Sequence, residues 1–174
     1  MDTPTYSSQV VDDLDSGPAT DGGSCGLLGQ IQDERLQLMG LLVRSHRRLS
    51  YLLGQELEDA CGIPLIWFDV LIHVGGAPDG RLTMSKLSTD VALTTGGVTR
   101  LVDRMVEAGL VERQNCPSDR RSVHVLLTER GHDTLQNAVA HHIDGIDRHL
   151  IAPLNAADRS ALESALTKLV NTDR

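Results

Sequence analysis

Residues 82–131 read LTMSKLSTDVALTTGGVTRLVDRMVEAGLVERQNCPSDRRSVHVLLTERG. The pattern predicts one short helix from Met84 to about Val91 and, after a break, a second that Thr94 is placed to cap. Val98, Leu101, Val102, Met105 and Val106 fall on one face of that second helix, and Gly109 stops it. Two short helices joined by a turn of three or four residues make a helix-turn-helix pattern. Leu110 to Gln114 then reads as a strand, Asn-Cys-Pro-Ser-Asp as a turn, and Ser122 to Leu127 as a returning strand. Val123 and Val125 alternate with His124, as a one-sided antiparallel strand requires.

Helices are expected on both sides of this stretch. Thr128 can cap one running to about Ile151, where Pro153 breaks it. Asn155, with Asp158 three residues on, caps a last helix to about Val170. Upstream, from about Asp33, Leu36, Met39, Leu42, Val43, Leu49, Leu52, Leu53 and Leu57 recur at spacings of three and four until Gly62. A helix of that extent spans roughly 42 Å, more than one small core needs to cover. Pro64, at a first-turn position, opens a shorter helix to about Val74, which GGAPDG stops. Residues 1–30, rich in Ser, Thr, Gly and Asp, read as a disordered acidic tail.

The 174-residue chain carries a net charge of -8, which at first argues against a nucleic-acid partner. Its distribution reverses that inference. Residues 81–130 hold eight bases against six acids, while every other part of the chain is net acidic. A local basic surface is what phosphate attraction needs. Hydrophobic residues make up 40% of the chain and aromatics only 2%, so the core must come from Leu, Val, Ile and Ala. No apolar run is long enough to span a membrane. Three cysteines without CxxC spacing, and no signal peptide, point to a reducing, cytoplasmic setting. The chain shows no nucleophile elbow, phosphate loop or HExxH, so an enzyme is not expected.

VTRLVDRMVEAGLVER (residues 98–113) and SDRRSVHVLLTERG (residues 118–131), set within the stretch quoted above, resemble the MarR family of winged-helix transcriptional regulators. With the flanking helices the resemblance covers about residues 33–172. It implies a mainly α fold with a small two-stranded antiparallel wing: a winged helix-turn-helix with long N- and C-terminal dimerisation helices. The corresponding division is residues 1–30 as tail, 31–62 as N-terminal dimerisation helix, 63–129 as DNA-binding lobe and 130–174 as C-terminal dimerisation helices. It further implies a cytoplasmic homodimer on double-stranded DNA, acting as a repressor relieved by a small-molecule ligand. Two-fold symmetry would match a pseudo-palindromic site with half-sites about one helical turn apart.

Within that frame, Thr94 and Thr95 stand at a helix N-terminus, where free N–H groups favour a phosphate. Gly96 and Gly97 each cost roughly 1 kcal/mol of helix propensity against Ala. Close approach of the backbone to a groove would account for them, and a loose turn would do so equally. Thr99 and Arg100 face away from the apolar stripe; Arg100 suits either a guanine edge or a phosphate. Arg104, one turn on, suits the DNA backbone or a pair with Asp103 or Glu107. Ser85 and Lys86 are lesser phosphate candidates. At the wing tip, Asp119, Arg120 and Arg121 match the family's Asp-x-Arg element, with one arginine held by the carboxylate and the other reaching a minor groove.

Further side chains carry alternative readings. Cys116 has Arg113, Arg120 and Arg121 near it in sequence, which favours thiolate, so a redox-responsive regulator using Cys116, Cys61 or Cys25 is one alternative. The family's peroxide-sensing branch carries its cysteine within the first long helix, which here has none through Asp59. A winged-helix protein-interaction module without DNA binding is the other. His142 and His149 lie two turns, roughly 10 Å, apart on one helix, so neither metal nor cofactor is expected. The family's cleft for small aromatic or phenolic effectors would fall near Arg44, His46, Arg47, Trp67, Phe68 and His73. The bulk of Trp67 and Phe68 suits a core at least as well.

Overall fold

The computed structural model describes residues 31–115 and 122–172. The chain divides into two units that meet between Leu42 and Val43, within the first long helix. In the first unit Asp33 starts that helix, α1 (Glu34–Cys61), by accepting a hydrogen bond from the Arg35 backbone N–H at 2.8 Å. The side chains of Leu36, Leu38, Met39, Leu41 and Leu42 along it are exposed.

The second unit carries the rest. It comprises α2 (Leu65–Gly75), β1 (Arg81–Thr83), α3 (Met84–Asp90), α4 (Thr95–Glu107), β2 (Val111–Asn115), β3 (Val123–Leu127), α5 (Glu129–Ile146), a π-helical turn (Asp147–Ile151) and α6 (Ala156–Val170). Each main start has a chemical cause. Thr83, Thr94, Thr128 and Asn155 each accept a hydrogen bond from the backbone N–H three residues on, which satisfies a donor the helix leaves unpaired. Pro64 stands at the N-cap of α2, one residue ahead of its expected first-turn position.

The strands form one antiparallel sheet in the order β1-β3-β2. The wing expected from the sequence is present as β2 and β3, paired from Val111 with Leu127 to Asn115 with Val123. β1 is an addition, with Leu82 opposite Val125. Three residues cannot show an alternation, so β1 carries no pattern from which a strand could be read.

The core gathers Phe68, Val70, Leu71 and Val74 from α2, Leu87 from α3, and Val98, Val102 and Met105 from α4. Leu110, Val111, Val125 and Leu57 complete its fully buried large side chains. Val106, expected on the buried face of α4, is instead exposed. Gly109 ends α4 with φ +69, a backbone conformation that side chains disfavour. The helix expected from Thr128 to Ile151 is α-helical only to Ile146, and the π-helical turn completes it.

Candidate nucleic-acid interface

The two-helix unit is fixed from beneath. Leu87, Val98, Leu101, Val102 and Met105 anchor α3 and α4 to the core. Between the helices Ala92 adopts a left-handed conformation, φ 52, and Ser88 Oγ donates to Leu93 O at 2.6 Å across the turn. That bond closes the turn over the strained residue.

With its apolar face spent on the core, α4 presents Thr95, Gly96, Thr99, Arg100 and Arg104 outward. Thr94 Oγ1 takes up the Gly97 N–H at 3.2 Å, and Thr99 Oγ1 donates to Thr95 O at 2.8 Å. A side chain at Gly96 would meet nothing within 4 Å, so no packing among the described residues explains that glycine. It leaves the first turn of a thirteen-residue helix bare.

The basic side chains are not equivalent. Among the described residues Arg100 forms no ion pair, whereas Lys86 Nζ bonds Asp90 Oδ1 at 2.6 Å, one turn on. The Lys86 side chain is 61% accessible and that of Asp90 only 16%, so the lysine is held on one side and open to solvent on the other. Arg104 pairs with neither Asp103 nor Glu107: its guanidinium carbon lies 6.0 Å from the centre of the Trp67 ring. Asp103 pairs with Arg113 of β2, and Arg113 also donates to Thr99 O at 3.2 Å. Sequence reasoning passed over that tie, because residues ten and fourteen positions apart meet only once the strand folds back. Ser85 is exposed on α3. Asp119, Arg120, Arg121 and Cys116 lie outside the described residues, as does Cys25.

The six side chains expected around an effector cleft have different surroundings. Arg44, His46 and Arg47 are exposed on α1, while Trp67 backs Arg104. Phe68 is buried in the core with its ring 4.5 Å from that of His142. His73 is half-buried; burial raises the pKa of the nearby Asp69 carboxyl, and the His73 charge opposes that rise only in part. The surface of the described residues includes two shallow grooves of note. One, of about 460 Å³, includes Leu150, Ile151, Leu154, Leu162 and Leu166; the other, of about 260 Å³, lies between Glu56 and Arg148. None of the six side chains lines either groove.

The remaining reactive groups are engaged locally. Burial pushes the Cys61 thiol up, away from thiolate, and Asn137 Nδ2 lies 3.6 Å from its sulfur. Glu56 accepts from Arg148 and lies 2.7 Å from His149 Nε2. The His149 hydrogen bond, foremost among the causes, holds the Glu56 carboxyl below its ordinary range. Among the described residues no three His, Cys, Asp or Glu side chains come together as a metal site, and no helix is long and apolar enough to cross a membrane.

Comparison with known proteins decides the family. Residues 62–122 match the family model MarR_2, described as MarR family. The multiple antibiotic resistance protein MarR of Escherichia coli K12 is 34% identical over 134 residues, covering 76% of this chain and 90% of that protein. The chain belongs to the MarR family. The transcriptional repressor MprA of Escherichia coli K12 is 28% identical to this MarR-family chain over 116 residues, 67% of the chain. The matched region spans 65% of MprA's length. Among solved structures, AbsC, a MarR family transcriptional regulator from Streptomyces coelicolor, superposes with a TM-score of 0.73 at 28% identity. That match covers 80% of this MarR-family chain and 93% of AbsC. A mutant of Escherichia coli MarR complexed with operator DNA gives 0.71 at 28% identity, covering 79% and 96% respectively. The family so identified is one of transcriptional regulators, not of enzymes.

Proposed function

We propose that this chain is a cytoplasmic, homodimeric, sequence-specific DNA-binding repressor whose hold is relieved by a small aromatic or phenolic effector. The observation that carries the reading is α4. One face is committed to the core, and the other presents the bare Gly96 turn, Thr99 and an Arg100 that forms no ion pair among the described residues. A major groove admits an α-helix, and a guanidinium there can bind both guanine O6 and N7. Ser85, Lys86, Thr94, Thr95, Gly97 and Arg104 would add backbone contacts, with Asp119, Arg120 and Arg121 at the wing. Similarity to the Escherichia coli MarR complexed with operator DNA supports the same assignment.

Dimerisation is supported by apolar side chains left uncovered at both ends of the chain, among them Leu38 at 70% exposure and Val170 at 83%. Two such chains on one duplex would select a pseudo-palindromic site. Relief by an effector rests on the family resemblance, with Arg44, His46, Arg47, Trp67, Phe68 and His73 as the region to probe.

Selection of duplexes from a random pool tests the function. A palindromic consensus with salt-sensitive, competitor-resistant binding is expected, and its absence overturns the proposal. On the selected duplex, Arg100→Ala should lose about tenfold or more in affinity and relax the preference at one base pair of each half-site. Equal weakening on every sequence would reassign Arg100 to a phosphate.

A further inference from the structure

Arg113 sits at the middle of β2, opposite Val125, yet its guanidinium is directed onto α4. One nitrogen donates to the Asp103 carboxylate, and the other donates to the Thr99 carbonyl at 3.2 Å. Thr99 and Asp103 are one turn apart on the helix, and each directly precedes an outward arginine, Arg100 and Arg104. A single planar group therefore bonds two successive turns of α4 at the level of its outward-facing residues. Its fixed fork of donors suits such two-pronged holding better than an ammonium does. Both partners are partly exposed, with 33% of the Arg113 side chain and 47% of the Asp103 side chain accessible.

Asp103 is the informative member. A carboxylate on the outward half of a helix that meets phosphates opposes binding by simple repulsion. Paired with Arg113, it becomes an anchor between the helix and the strand leading to the wing. We propose that Arg113 and Asp103 are positioning residues for DNA recognition, setting the placement of α4 against β2 so that helix and wing engage one duplex together. This rests on the reading of α4 as the DNA-reading helix. The charge of Arg113 is thereby committed to the protein and not to a phosphate.

The test uses the full chain with Arg113→Lys, Arg113→Ala, Asp103→Asn and the Arg113→Ala/Asp103→Asn pair. In the free protein, hydrogen exchange at amides 99–107 should quicken about tenfold in each variant while α2 and α5 keep their protection. Unchanged exchange overturns the tie. On the selected duplex, Arg113→Lys and Asp103→Asn should each lower the ratio of specific to non-specific affinity about tenfold, and the double variant should lose little more. The salt dependence should keep its slope, because no phosphate contact is removed. Tighter binding by Asp103→Asn, as loss of a repelling charge alone would give, overturns the proposal. So does a slope reduced by about one unit in Arg113→Ala, which would mark a phosphate contact. A wild-type chain that binds no duplex defeats the DNA reading itself, and the exchange data then still decide whether Arg113 holds the helix.

Discussion

His142 packs its ring against Phe68, and its Nδ1 is buried without a hydrogen-bond partner among the described residues. Burial, the larger cause, lowers its pKa from the ordinary 6.5, while the Asp69 charge works the other way. A proton therefore binds the unfolded chain more readily than the folded one. The stability that follows is present above about pH 6.5 and is lost as pH falls through the lowered folded value. Burial of Asp69 acts with the opposite sign, raising its pKa and favouring the fold on the acid side. His142→Phe keeps a ring against Phe68 and removes the proton site. Between about pH 7.5 and 5.5 its melting temperature should fall less than the wild type's, whereas equal falls would assign the acid sensitivity elsewhere. At this scale the sequence was readable where chemistry is local. Thr94, Thr128 and Asn155 cap helices as their spacing suggested, and Thr99 and Arg100 face outward. It was unreadable where a partner comes from another element, as with Trp67 under Arg104 or Arg113 on Asp103.

The junction of α4, β2 and α5 shows what fixes one element against another. Thr128 Oγ1 donates to Gly109 O at 2.6 Å and accepts the Gly131 N–H at 3.0 Å, so one hydroxyl links the end of α4 to the start of α5. Gly131 is required there by distance. A Cβ built on it would stand 1.9 Å from the Leu110 carbonyl oxygen, which is backbone and cannot swing away. Gly131→Ala should accordingly cost about 1–3 kcal/mol, read as a lower denaturation midpoint at unchanged slope. A neutral substitution would mean that α5 can slide. The order of helices and the β2–β3 wing were legible because their periods are long enough to count. β1 has three residues and no pattern of its own. The π-helical turn has the same composition as helix, and its extra residue per turn leaves no mark in a run where Leu150 and Ile151 suit either geometry.

Over the whole molecule, the uncovered apolar side chains set the largest expected effect. Leu162, Leu166, Leu169 and Val170 are exposed on α6, and Leu36 to Leu42 contribute their own exposed set on α1. Burying such stripes is worth on the order of 25 cal/mol per Å², and one chain leaves that contribution unused. If two chains cover these faces, sedimentation should give twice the chain mass. The melting temperature should then rise by a few degrees for a tenfold rise in concentration, since mass action shifts stability by about 1.4 kcal/mol. A concentration-independent melting point at monomer mass would refute the dimer. Periodicity made these stripes readable, and charge counting singled out residues 81–130 as the one net-basic window. The π-helical turn at Asp147–Ile151 adds a matter of phase. Its surplus residue rotates whatever follows by about 100° relative to an unbroken α-helix. Leu150, Ile151 and Leu154 wall the larger groove with Leu162 and Leu166. The azimuth of that wall is thus set by a count of residues, and deleting Asp147 would turn it aside while leaving every apolar side chain in it unchanged.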